Sequence, residues 1–152
     1  MGVYSFLDVQ ASIIGPGGAF PLGAHAGAAE EGITTAFVGE KNTMTKGAGA
    51  AGMHSLHASN AGKITLRYLK TSPVNAQLSA LYNFQKSSSG NWGQNVIMVS
   101  NTVRGDIVSG RECAFAKHPD LTYAAEGGTI EWEFDVIHLE ELIGTGVPDV
   151  NV

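Results

Sequence analysis

The sequence predicts a mainly β domain with one α-helix near its middle. Three segments carry that prediction. In Lys63 to Lys70, Ile64, Leu66 and Tyr68 fall on one face and Lys63, Thr65 and Arg67 on the other, the period-two pattern of a half-buried strand. Thr129 to Leu142 alternates most clearly, with Ile130, Trp132, Phe134 and Val136 on one face and Glu131, Glu133 and Asp135 on the opposite one. Between them lies the helical signal. Ser72 is placed to cap it, Pro73 suits its first position, and Val74, Leu78, Leu81, Tyr82 and Phe84 or Gln85 follow near-helical spacing. Ala76 and Ala80 add propensity, and Ser87-Ser88-Ser89-Gly90 ends it.

The other elements are shorter. Val3 to Ile14 reads as a strand, rich in β-branched and aromatic residues and interrupted by Ser5, Asp8, Gln10 and Ser12. Gly15-Pro16-Gly17-Gly18 is a strong turn signal, and Phe20 to Leu22 is placed to begin a short return strand. Ile33 to Glu40 is the next strand. Gly39 to Gly52 then combines Gly39, Gly47, Gly49 and Gly52 with a run of small residues and no apolar periodicity, so it is expected to be a long surface loop. Asn95 to Val99 and Asp106 to Lys117 are further strands, and Lys117-His118-Pro119-Asp120 is a turn. The last strand carries a constraint of length. Thr129 to Leu142 would extend roughly 46 Å at about 3.3 Å per residue, whereas a compact domain of this size is about 40 Å across. It is expected to bend, break or cross the whole subunit.

The chain has 152 residues, which fits a single domain over 1–152. A domain of that size buries roughly 70% of its unfolded surface, enough for a real core. Hydrophobic residues make up 43%, but charged residues only 15%, against roughly 25% in ordinary soluble domains. That shortage points to a surface covered by something else, and copies of the same chain are the simplest cover. The formal net charge of −5 argues against a nucleic-acid-binding footprint, which would be basic. Cys113 is the single cysteine, so no internal disulfide forms, in keeping with a reducing compartment. The opening MGVYSFLDVQ lacks the basic region of a signal peptide, Phe6 stands where myristoylation needs Ser or Thr, and no apolar run reaches the roughly 20 residues of a bilayer span. No membrane anchoring is expected.

Each candidate for chemistry has a plainer explanation beside it. Gly47-Ala48-Gly49-Ala50-Ala51-Gly52 matches G-x-G-x-x-G literally. A dinucleotide site also needs a helix after the glycines and an acid about 20 residues on. Met53 to His57 carries no helical cap or stripe, and the first acid after Glu40 is Asp106. A flexible turn needing positive φ explains the glycines better. His54 and His57 would share a face in a helix but point to opposite faces in a strand, and a third metal ligand would have to come from His118 or His138. Glu131, Glu133 and Asp135 form a carboxylate ladder. Same-face neighbours on a strand sit roughly 7 Å apart, which acid–base catalysis tolerates, but nothing else resembles a substrate site. The ladder is either a solvated face paired across strands to bases such as Lys63 and Arg67, or a dedicated acidic lining. Arg104-Gly105-Asp106 is a chance tripeptide, Cys113 a small core residue, and no serine or cysteine sits in a nucleophile motif. No catalytic residue, cofactor or metal is expected.

Several segments together resemble a known family: YSFLDVQASIIGPGG, AEEGITTAFVGEKNTMTKGA, GMHSLHASNAGKITLRYLKTSPVNAQLSALYN and TIEWEFDVIHLEELIG. They are similar to the tail-tube subunits of contractile bacteriophage tails, over nearly the whole chain. The most specific piece is the strand-to-helix junction Leu69-Lys70-Thr71-Ser72-Pro73-Val74-Asn75-Ala76-Gln77-Leu78. The resemblance implies two packed β-sheets with a flanking helix, a β-barrel or sandwich that closes into a larger barrel when six copies form a ring. Rings would stack into a hollow tube inside a contractile sheath, an architecture shared with type VI secretion and tailocin tubes. It implies a virion tail component assembled in the bacterial host cytoplasm, with sheath, baseplate and tail-terminator proteins as partners. DNA would pass through the lumen without specific binding. Barrel closure between subunits removes exposed sheet edges. Thr43, Met44, Thr45, Lys46, Gly47, Gly49 and Gly52 then become a candidate inter-subunit loop that orders against the next ring. Glu131, Glu133 and Asp135 become a candidate lumen face that repels DNA phosphates. Six copies would carry roughly −30 by formal count, partly screened by salt.

Other readings stay open on the sequence. A tail terminator, a completion protein or a secretion-system or tailocin tube would use the same architecture. A small β-barrel metal-dependent enzyme would use the scattered histidines. A carbohydrate- or protein-binding sandwich would need an aromatic platform, for which Trp92 and Tyr123 are the available residues.

Overall fold

Apolar alternation makes strands, and each strand must bury its apolar face against another. A computed structural model shows how this chain does so; it describes residues 4–23 and 28–144. A short 3-10 turn, Phe6–Asp8, precedes β1 (Val9–Gly15) and β2 (Gly18–Pro21). Then come β3 (Ala28–Phe37), β4 (Asn42–Lys46), β5 (Gly52–Leu56), β6 (Gly62–Leu69) and α1 (Pro73–Gln85), and finally β7 (Asn95–Asn101), β8 (Asp106–Phe115) and β9 (Thr129–Leu142). The fold is mostly β with a single helix among the described residues. A large antiparallel sheet runs in the order β2-β1-β7-β8-β9-β6-β3, and β4-β5 form a small second sheet.

The expected pair of packed sheets is therefore met by one seven-stranded sheet that curls on itself, and it does not close into a barrel in the monomer. Tyr68 on β6 donates its hydroxyl to the Leu22 carbonyl just after β2, at 2.7 Å. In a flat sheet β6 and β2 would lie about 24 Å apart, five spacings of roughly 4.8 Å. Only strong curling brings the Tyr68 side chain into hydrogen-bond contact with the chain just after β2. β9 is where the sheet turns. Its first part, Thr129 to Val136, pairs with β6, and its second, Phe134 to Leu142, pairs with β8. The strand is long because it serves both halves.

Both β8 and β9 change phase at this bend. On β9 the buried positions run Ile130, Trp132, Phe134, Val136 and then Leu139. On β8, Glu112 takes φ +53°, and the pairing with β7 slips between Asn95 and Ile97. A β-bulge bends and twists its strand in this way. Gly62 sits under the bend, where a Cβ would lie 2.3 Å from Leu139 Cδ2 and 2.7 Å from the Ala36 carbonyl.

The core lies inside the curl, and α1 covers it. Ile13, Ile64, Leu66, Tyr68, Ile97, Phe115, Trp132 and Phe134 meet the buried helix face of Val74, Leu78 and Leu81. Each such side chain contributes about 1.5–3 kcal/mol on burial. Ser72 Oγ accepts from the Val74 amide at 3.3 Å, so the helix starts where the Ser-Pro pair placed it. At its other end Gln85 and Asn95, both fully buried, exchange two amide bonds at 2.7 and 2.8 Å. Gln85 also donates to the Pro16 carbonyl and Asn95 to that of Cys113. This satisfies the buried amides and ties the helix to the β1–β2 turn and β8.

Candidate functional site

Glu131, Glu133 and Asp135 stand on the outer face of β9, opposite β6, with Trp132 and Phe134 pointing into the core between them. Register explains what they do there. Arg67 pairs with Glu131, Thr65 with Glu133 and Lys63 with Asp135. The ion pairs follow: Arg67 Nε to Glu131 Oε2 at 3.0 Å, and Lys63 Nζ to Asp135 Oδ1 at 3.2 Å. These are solvent-facing pairs, each contributing about 0.2–1 kcal/mol. Glu133, facing a threonine, is the carboxylate of the three without a base opposite it. The ladder is thus an alternating charge surface with one excess negative charge, three carboxylates against two bases. A polar groove runs beside it, lined by Lys117, Asp120, Glu131 and Glu133.

The segment expected to be a loop is a β-hairpin. Asn42–Lys46 pairs with Gly52–Leu56 in regular antiparallel register. Gly47 donates to the Ala51 carbonyl at 2.9 Å across the turn, and Gly49 takes φ +83°. Thr43, Met44, Thr45 and Lys46 are therefore strand residues, Gly47 and Gly49 belong to the tip, and Gly52 opens the returning strand. All of them are exposed. The hairpin continues the β3–β6 ladder: Val38 bonds Ala61, and His57 bonds Lys41. Lys41 Nζ braces the junction on Asn60 Oδ1 and the Ser59 carbonyl, at 2.8 and 3.0 Å. The unit projects from the Gly62 end of β6.

His54 and His57 fall on opposite hairpin faces. His54 Nδ1 meets Asn42 Nδ2 at 3.1 Å, and His57 Nε2 meets Thr43 Oγ1 at 2.6 Å. Among the described residues no three His, Cys, Asp or Glu side chains gather as a metal site would require. His118 is held by Ser79 Oγ at 3.1 Å and by the Tyr82 and Trp132 rings at 5.4 and 5.3 Å, which pins the segment after β8 to the helix. His138 lies 3.6 Å from Glu112 at the bend. Cys113 is fully buried, and burial pushes its thiol up to about 12, outweighing a backbone hydrogen bond from Ile97 that lowers it. Such a thiol is inert. Trp92 packs edge-on against Tyr82 at 6.0 Å, whereas Tyr123 is 83% exposed beneath the Lys70 ammonium, so the two have separate surroundings.

Sequence reasoning missed the far end of the sheet. At the Leu69 end of β6, the segment joining β8 to β9 is anchored by the Lys70 amide on the Gly128 carbonyl at 3.0 Å and by Lys70 Nζ on the Thr122 carbonyl. It exposes Leu121 and Tyr123, next to half-exposed Leu69. An acidic, base-free run with two large apolar residues was the available signal. Among the described residues no helix is long and apolar enough to cross a membrane.

The fold has a known counterpart. A chain in the cryo-EM structure of the anti-feeding prophage (AFP) baseplate, 6-fold symmetrised, superposes with a TM-score of 0.53 at 13% identity, covering 88% of this chain and 91% of that one. At that identity the likeness is one of fold. No curated protein sequence matches. The pattern of the bacteriophage PhiTE tail tube protein family matches residues 1–144. A match over nearly the whole length, on a curled β-sheet with one flanking helix, decides the assignment: the chain belongs to the bacteriophage PhiTE tail tube protein family.

Proposed function

We propose that the chain is a structural, non-catalytic subunit whose copies form rings that stack into the hollow tube of a contractile tail, the conduit for genome delivery. The observation that carries this is the open sheet. Its outer strands, β2 and β3, each have one paired neighbour among the described residues. Edges of that kind invite pairing with another chain, and edge-to-edge pairing around a ring removes them all. Six copies per ring suit the 6-fold symmetry named for the structurally similar baseplate. The outer face with Glu131, Glu133 and Asp135 lines the lumen in this reading, where its excess negative charge keeps phosphates from sticking. The β4–β5 hairpin makes the contact between rings. Sheath, baseplate and terminator proteins are the partners, and host-cytoplasmic assembly precedes incorporation into the virion. Electron microscopy of the purified protein at high concentration tests the proposal. Long hollow polymers are expected; isolated rings would indicate a terminator, and persistent monomers would refute the assignment.

A further inference from the structure

The two ends of β6 differ in chemistry in a way that makes them complementary. The Gly62 end carries the projecting hairpin. Met44, Met53 and Leu56 on it are 55, 59 and 81% exposed. Residues 41 to 62 hold Lys41 and Lys46 and not one carboxylate. Lys41 braces the hairpin base, while Lys46 stands at the end of β4 beside the tip. The Leu69 end carries the β8–β9 segment. Residues 118 to 128 hold Asp120 and Glu126 and no Lys or Arg, and Lys70 from beyond β6 lies 4.1 Å over the Tyr123 ring. Asp120 lies 3.8 Å from Lys117. Leu69, Leu121 and Tyr123, at 49, 50 and 83% exposure, form the apolar part of this end.

An isolated two-stranded hairpin is marginal in water, and this one has little packed against it. It needs a partner surface that is apolar and offers a carboxylate to Lys46. The same molecule presents one at the opposite end of the same strand, roughly 26 Å away along β6 at about 3.3 Å per residue. A patch at one end that fits a patch at the other makes a head-to-tail contact, which repeats without limit along an axis.

We propose that the hairpin of one copy docks on the Leu69–Leu121–Tyr123 end of the next copy, with Lys46 directed to Glu126. This rests on the stacked-ring reading and assigns the acceptor surface within it. Met44 and Leu56, on the same hairpin face as Lys46, cover the apolar part, and the Lys46–Glu126 pair sets direction, because hairpin against hairpin would oppose like charges.

Charge reversal on the full chain tests the assignment. Lys46→Glu and Glu126→Lys are made singly and together, and polymer length is followed by sedimentation and electron microscopy. Both positions are exposed, so circular dichroism of each variant should match the wild type. Each single reversal is expected to raise the protein concentration needed for polymers about tenfold or more, since every contact around a ring changes together. The double variant is expected to restore most of the loss. Wild-type polymers with unaffected single variants, or a double variant no better than the singles, overturn the acceptor assignment while leaving the tube intact. A wild type that forms no polymers overturns the tube reading itself, and the acceptor with it.

Discussion

Glu133 is the residue on which the proposed lumen face can be tested most cleanly. Replacing the whole ladder by lysine would confound two effects. Glu131→Lys would break a 3.0 Å pair and set two cations opposite each other, and Asp135→Lys would do the same to a 3.2 Å pair. Each such change costs about 0.5–2 kcal/mol from the lost attraction and the new repulsion together. Glu133 faces Thr65, so Glu133→Lys breaks no pair and should stay within about 0.5 kcal/mol of wild-type stability. Its electrostatic effect is nonetheless large for one substitution. The ladder's balance moves from −1 to +1, a change of two charges per copy and about twelve around a ring of six. Such a lining attracts phosphates instead of repelling them, and the attraction fades as salt rises. The assay is the rate of DNA release from assembled particles between about 50 and 200 mM salt, with tube assembly checked by microscopy. Slower release at the low end, converging with wild type at the high end, is expected. Release unchanged at low salt would refute the lumen placement; loss of assembly would show that Glu133 lies in a contact and not on an open face.

Two further predictions concern the curled core. Tyr68→Phe leaves the buried Leu22 carbonyl without its 2.7 Å donor and should lower stability by about 1–2 kcal/mol, seen as a lower urea midpoint at unchanged slope. Cys113 sets an alkaline limit: the folded chain keeps its thiol proton up to about 12, while the unfolded chain loses it near the ordinary 9.0. Its stabilisation is therefore complete below pH 9 and is lost as pH rises through 12, on the order of 1 kcal/mol of it by pH 10, a decline that urea midpoints should show shrinking in Cys113→Ala.

What the sequence made legible was whatever burial imprinted on it. β9 spans Thr129–Leu142 as expected, because Ile130 to Val136 alternate against charged neighbours. The helix begins at Pro73 because its cap is local chemistry. The pairing of Arg67 and Lys63 with the ladder was one of two anticipated outcomes, and register supplied the partners. The strand expected from Val3 begins only at Val9, after a 3-10 turn at Phe6–Asp8; residues 1–3 lie outside the described part. The hairpin was illegible as strand because neither face is buried, so no alternation was imposed on it. The bend was illegible for a different reason. Glu112 and the shift from Val136 to Leu139 answer to the closeness of β6 and Gly62, a contact between segments far apart in the chain.

The chain's few charges are unevenly spread. Four of the five ion pairs among the described residues gather on the β6–β9 outer face and near the bend. Apart from Ile137 at the bend, clusters of exposed apolar side chains lie elsewhere: Met44, Met53 and Leu56 on the hairpin, Leu121 and Tyr123 at the opposite end, and Ile107 paired with Leu142 beside Ile143. Single exposed apolar residues are ordinary, but clusters of them mark contact surfaces. A monomer living alone in water would spread its charge over all of these. A tube subunit needs charge chiefly on the face that stays wet after assembly, and its ends and edges can remain apolar because a neighbour covers them. In the proposed tube the hairpin's exposure and the ladder's polarity would have one cause: each surface would carry the chemistry of what it faces in the tail.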